Sequence, residues 1–146
     1  MARYLDGIRE LDAVVDGLTE AQLDLRPAAG EWTVREIVHH CADSEMTSAI
    51  RLRRLLAEDN PVIDGYDEAA FARRLHYDVR PVAASLAAVR AARETSASIL
   101  EHLSDADWSR AGTHSQSGPY SVDDWLRIYA AHCHDHAEQA RRVVSA

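Results

Sequence analysis

The chain has 146 residues, 47% of them hydrophobic and 27% charged, which is typical of one globular domain that buries a proper core. Its formal net charge of −8 and pI of about 5.4 oppose broad affinity for nucleic-acid phosphates. No apolar run approaches the roughly 20 residues of a membrane helix, and the N-terminus lacks the layout of a signal peptide. We therefore expect a single domain over residues 1–146, in the cytoplasm, that binds neither nucleic acid nor membrane.

Apolar residues that recur at three- and four-residue steps predict a first long helix over residues 4–18. A second long helix should begin at Val34, because Thr33 and Glu36 have the spacing of a capping box. It should continue to about Glu58, since no glycine or proline interrupts the chain before that point.

A turn-rich connection over residues 60–78 follows, and the third long helix should begin with Pro81 in its first turn. A loop rich in glycine and serine then leads to the fourth helix, which we predict over residues 121–142. No stretch shows a strand pattern, so we predict no sheet. The pattern predicts an all-α fold, a four-helix bundle with a long crossover connection between the second and third helices.

One face of the fourth helix carries two histidines. Trp125, Tyr129, His132, His136 and Gln139 follow one another at steps of four and three residues, which places them in a single stripe. Histidines one turn apart can reach one metal ion with bonds of about 2.0–2.1 Å. Because the chain has 8 histidines, this spacing also arises by chance, and a metal site needs a third ligand from elsewhere.

His40 is the candidate, because it lies at the margin of the buried face of the second helix. A ferritin-type di-iron site is disfavoured, since Glu36 and His39 form the only Glu-x-x-His motif in the chain. A mononuclear site fits better. A triad of two histidines and one carboxylate, with Asp43 or Asp135 as the acid, is an open alternative.

Three segments carry a family resemblance: WTVREIVHHCADSEMTSAIRLRRLL, PVIDGYDEAAF and YAAHCHDHAEQ. They resemble the DinB/YfiT-like superfamily of metalloenzymes, specifically its YfiT branch, which includes bacillithiol transferase, and the similarity covers nearly the whole chain from Leu5. The resemblance implies a four-helix bundle of unusual topology, often a homodimer, that holds one divalent ion, zinc or nickel. It also implies that the metal ligands are His40, His132 and His136.

Three protein ligands leave a coordination position for water or substrate. The ion could lower the pKa of a bound water that attacks a small hydrolysable substrate, with Asp43 or Asp135 as base. It could instead activate a small-molecule thiol that attacks an electrophile, which demands less of the protein because coordination itself makes the nucleophile. We prefer thiol transfer, which also agrees with the activity that the resemblance implies. The non-catalytic alternative is an ion that braces the bundle, helped by Cys41 or Cys133.

Other polar residues lie near the predicted seam. His39 and His134 point away from it, so we expect them to be solvated or to support the ligands. His114, in the loop before the fourth helix, is either an ordinary loop residue or a catalytic candidate at the mouth of the pocket. The basic cluster over residues 51–54 is predicted as a solvated face, although an arginine near a pocket can hold an anionic substrate.

Overall fold

The computed structural model describes residues 1–145, and four long helices form most of the fold. They are α1 (Ala2–Val15), α3 (Val34–Ala57), α5 (Ala83–Leu100) and α7 (Val122–Val144). Three short helices lie between them: α2 (Glu20–Leu23), α4 (Glu68–Arg74) and α6 (Asp105–Trp108). Both α1 and α3 pack against α5 and α7, which confirms the predicted four-helix bundle. None of the helices within residues 1–145 has the length and apolarity of a membrane span.

Capping boxes determine where α3 and α7 begin. The Thr33 hydroxyl accepts a hydrogen bond from the backbone of Glu36, whose carboxylate accepts one from the backbone of Thr33. Ser121 and Asp124 form the same pair of bonds at the start of α7. Both helices therefore begin where the sequence predicts. The first helix ends earlier than predicted, because Gly17 adopts a left-handed φ of 76°.

A small three-stranded sheet closes one end of the bundle. Its strands are β1 (Val62–Ile63), β2 (Ala111–His114) and β3 (Gly118–Ser121), with β1 parallel to β2 and β2 antiparallel to β3. The prediction of no sheet is therefore wrong. Strands of two to four residues are too short to show a clear alternation of apolar and polar residues, and β1 pairs with a partner about 50 positions away. A side chain on Gly112 would overlap the carbonyl oxygen of Pro61, which explains the glycine there.

The predicted crossover connection is present between α3 and α5. It contains β1 and α4 and is held to α3 by Tyr77, which is buried and donates a hydrogen bond from its hydroxyl to Asp43. His39 adds a second attachment, because one ring nitrogen lies 3.0 Å from the carbonyl oxygen of Arg80 in the connection. Its other ring nitrogen lies 2.8 Å from Ser85 Oγ of α5. The connection therefore packs beside the first half of α3.

The core consists of two apolar clusters, one at each end of the bundle. Between them, Arg93 of α5 and Glu45 of α3 form a fully buried ion pair of 2.6 Å. Arg93 also donates to the carbonyl oxygens of Tyr4 in α1 and Tyr129 in α7, and the Tyr4 hydroxyl donates to Glu45. This polar layer therefore links all four long helices.

Candidate metal centre

Three histidines from two helices converge beside the polar layer. His40 comes from α3, and His132 and His136 come from successive turns of α7. One ring nitrogen of each lies within 4.8 Å of those of the other two, and the Nε2 atoms of His40 and His132 are 3.3 Å apart. The structure therefore brings together the three histidines that the sequence singled out.

The spacing of these nitrogens fits a metal ion. Two nitrogens bound to one tetrahedral ion at about 2.05 Å are separated by about 3.3 Å, which is the distance between the Nε2 atoms of His40 and His132. The third ring, that of His136, has its centroid 4.6 Å from those of both other rings. The cluster can thus offer three nitrogen donors to one ion from one side, which leaves a coordination position for another ligand.

The protonation states of two histidines also suit metal binding. Burial, with a smaller contribution from the neighbouring His136, lowers the pKa of His40 to about 3. The same two causes, joined by His40 and Arg93, lower the pKa of His132 to about 2. Both imidazoles are therefore neutral near pH 7, and each has an unprotonated nitrogen with a lone pair for a metal.

The outward-facing nitrogens of the three rings have different surroundings. His136 Nδ1 lies 2.9 Å from Gln139 Oε1, which leaves its Nε2 for the cluster. His132 Nδ1 and His40 Nδ1 are buried and have no hydrogen-bond partner among the described residues. A Glu45 oxygen lies 3.8 Å from His132 Nδ1. The residues nearest the outward-facing nitrogens of His132 and His136 therefore also come from α3 and α7.

The proposed carboxylate ligands and bases lie outside the cluster. Neither Asp43 nor Asp135 has an oxygen in the groups of possible metal ligands formed by residues 1–145. The Asp43 carboxylate accepts the hydroxyl hydrogen bond of Tyr77, and Asp135 is exposed on α7. The structure thus does not bring together a triad of two histidines and one of these acids.

The other histidines take up separate positions. His114 is half-buried in β2, where the backbone N–H of Gln116 donates to its Nδ1, and it does not join the cluster. Burial lowers its pKa. His39 is buried rather than solvated, because α3 is enclosed on every side from its first residue, Val34, to residue 45. His134 is half-buried at the surface, 3.0 Å from the carbonyl oxygen of Arg3.

Both cysteines are buried free thiols immediately beneath the histidines. Cys41 and Cys133 form a second group of possible ligands with His132, again within 4.8 Å, but neither belongs to the three-histidine group. Contact with Cys133 and burial raise the pKa of the Cys41 thiol well above its ordinary value. A protonated thiol is a poor ligand and nucleophile, so Cys41 serves best as a small apolar residue that fills space in the core.

Trp32 lies over the histidine cluster. Its ring centroid is 4.8 Å from that of His40, and the residue lines two surface cavities of about 570 and 500 Å³. Gln139, the partner of His136, lines the larger one as well. Both residues therefore connect the proposed ligands to space that a small molecule could occupy.

Glu45 and Arg93 were not identified from the sequence. The sequence does contain a feature that points to them, because each is a charged residue at a core position of an amphipathic helix. Glu45 lies four residues after Cys41, and Arg93 lies four residues after Val89. Such charges are rarely fully buried unless paired. The two partners are 48 residues apart, so the sequence alone did not connect them.

The fold and the cluster define a class of protein: a four-helix bundle with a candidate mononuclear metal centre, built from one histidine of the second long helix and two of the last. A family model described as the DinB superfamily matches residues 4–140. The chain belongs to this superfamily, as the sequence predicted.

Named relatives and a solved structure agree with this membership. The chain is 39% identical over 128 residues to "Putative metal-dependent hydrolase OB0782" of Oceanobacillus iheyensis, covering 88% of this chain and 74% of that one. It is 33% identical over 139 residues to "Putative metal-dependent hydrolase YfiT" of Bacillus subtilis, covering 92% and 78%. The solved structure of Bacillus subtilis YfiT superposes on this chain with a TM-score of 0.92 at 29% identity, covering 99% of this chain and 83% of that one. That structure is described as a probable metal-dependent hydrolase with an unusual four-helix bundle topology.

Proposed function

We propose that the protein binds one divalent metal ion, zinc or nickel, through His40, His132 and His136, and transfers a low-molecular-weight thiol to an electrophilic substrate. The observation that carries the proposal is the convergence of three histidine nitrogens within 4.8 Å of one another. One pair, the Nε2 atoms of His40 and His132, has the 3.3 Å spacing of a tetrahedral site, and both of these imidazoles are neutral near pH 7. A bound ion would lower the pKa of a coordinated thiol, so that the thiol would lose its proton to solvent and become a thiolate. The sulfur would then form a bond to the electrophile, and the electron pair of the broken bond would go to the electrophile's leaving group.

The surroundings of the cluster favour thiol transfer over hydrolysis. A hydrolase of this kind gains from a carboxylate base beside the ion. Asp43 is instead engaged by Tyr77, and Asp135 is exposed. Thiol transfer needs no such base, because the protein has only to hold the ion and place the substrates. Trp32 provides an aromatic surface for them beside His40.

Metal-dependent hydrolysis is the second candidate, because the relatives carry that name. For Asp43 to act as the base in this reaction, its carboxylate would have to be released from the hydroxyl of Tyr77. A third possibility is an ion that only braces α3 against α7. A homodimer and a cytoplasmic location stay predictions from the resemblance and the composition.

Elemental analysis of protein purified without an affinity tag tests the proposal. We expect about one ion per chain, lost in His132→Ala and retained in His134→Ala, a matched histidine on the same helix outside the cluster. Thiols should shift the absorption spectrum of the cobalt-substituted protein. If thiols do not change this spectrum and the protein hydrolyses esters, the result would favour the hydrolase. If thiols do not change the spectrum and no ester is hydrolysed, the result would favour an ion that only braces the bundle. Absence of metal under replete conditions would refute all three.

A further inference from the structure

A buried carboxylate lies directly behind one of the proposed ligands. Glu45 Oε1 is 3.8 Å from His132 Nδ1, and the Glu45 side chain is fully buried. On the other side of the same ring, Nε2 lies 3.3 Å from Nε2 of His40. The imidazole of His132 is therefore placed between the carboxylate and the metal cluster, with one nitrogen facing each.

Arg93 holds this carboxylate in position. Its guanidinium donates to Glu45 at 2.6 Å and to the carbonyl oxygen of Tyr129 at 2.7 Å, and it also donates to that of Tyr4. A guanidinium keeps its charge in proteins, and Glu45 is the only carboxylate in an ion pair with Arg93 among residues 1–145. Because bonds from three helices converge there, the carboxylate cannot swing away from His132 without leaving a buried charge unpaired.

The carboxylate selects one tautomer of the imidazole. A neutral histidine carries its proton on one nitrogen only. The Nδ1–H tautomer directs a positive hydrogen at Glu45 and a lone pair at the cluster. The Nε2–H tautomer directs a lone pair at the carboxylate and blocks the nitrogen that faces His40. The charge of Glu45 therefore favours the tautomer that can bind a metal.

We propose that Glu45, fixed by Arg93, is a positioning residue that accepts the Nδ1–H hydrogen bond of His132 and keeps its Nε2 free and aimed at the metal. The 3.8 Å between His132 Nδ1 and Glu45 Oε1 becomes a hydrogen-bonding distance if the two groups approach each other by about 1 Å. Gln139 offers an oxygen to His136 Nδ1 in the same way. This inference rests on the proposed metal binding but not on the reaction that follows.

The first test is the tautomer of His132 in metal-free wild-type protein, read from ¹⁵N and ¹³C ring shifts. We expect the Nδ1–H form, and an Nε2–H form would overturn the inference even if no metal bound. The second test is zinc affinity by chelator competition. Glu45→Gln should weaken it 10- to 100-fold and mix the tautomers. The same change in Glu58, which is exposed at the far end of α3, is the control, and Glu58→Gln should leave both within about twofold.

Glu45→Gln leaves Arg93 without a counter-charge and could unfold the chain. The double variant E45Q/R93M removes both charges, so it should fold and still lose zinc affinity. Wild-type affinity in this folded double variant would refute a positioning role. Failure of the wild type itself to bind zinc would instead count against the proposed function, while the tautomer measurement would still decide the position of the proton.

Discussion

Replacement of Arg93 by methionine tests the polar layer as a structural element. Methionine fills much of the same space but leaves the buried charge of Glu45 without its partner. It also removes the hydrogen bonds that the carbonyl oxygens of Tyr4 and Tyr129 accept from Arg93. Removing one partner of a buried pair typically costs about 3–5 kcal/mol, a large part of the roughly 5–15 kcal/mol that stabilises a domain. We therefore expect this loss in the free energy of unfolding of the metal-free protein.

Urea denaturation followed by circular dichroism measures the effect. Unfolding entropy scales with chain length, so a loss of this size lowers the melting temperature by about 10–15 °C in a chain of this length. The double variant E45Q/R93M should lose less than R93M alone, because it leaves no lone charge. A single variant within about 1 kcal/mol of the wild type, or a double variant less stable than the single one, would refute this account of the layer.

Three further predictions concern pH and packing. The stability of the metal-free protein should fall on acidification below about pH 6.5, because burial lowers the pKa of His40 and His132 in the folded state only. The free energy of unfolding measured from pH 7 to 4 should show this decrease, and the decrease should be smaller in H40N/H132N. Acidification should reduce the stability difference between R93M and the wild type. Burial already raises the pKa of Glu45 in the folded state, and the lost counter-charge raises it further, so the cost of burying the Glu45 charge disappears as pH falls through the unfolded pKa near 4. A stability difference that does not change with pH in parallel urea titrations would contradict this. Gly7→Ala should lower the free energy of unfolding by about 1–3 kcal/mol, measured by thermal melting, although alanine has the better helix propensity. The reason is that the alanine Cβ would lie 2.7 Å from Arg93 Nη1. Unchanged or raised stability would contradict this prediction.

Local signals in the sequence predicted the long helices and two of the three clustered histidines. The capping boxes at Thr33 and Ser121 mark the starts of α3 and α7, and the spacing of His132 and His136 follows directly from helix geometry. The choice of His40 needed the family resemblance as well, because helix periodicity places it only at the margin of a buried face.

Features that depend on distant pairing were not predictable in this way. The partner of Arg93 is 48 residues away, and β1 pairs with a strand from the other half of the chain. The burial of His39 depends on how the crossover connection folds back over α3. In each case the deciding contact comes from a part of the chain that no local pattern identifies.

The three-stranded sheet connects the two helices that carry the histidines. The chain passes from α3 into β1, which pairs with β2, and β3 ends at Ser121, immediately before α7 begins at Val122. No linker residue separates β3 from α7, so the sheet positions the first turn of α7 relative to the C-terminal end of α3. One residue inserted at this junction would turn the face that carries His132 and His136 by about 100° and displace it by about 1.5 Å. The site could thus be lost through a change in chain length that leaves every proposed ligand in the sequence.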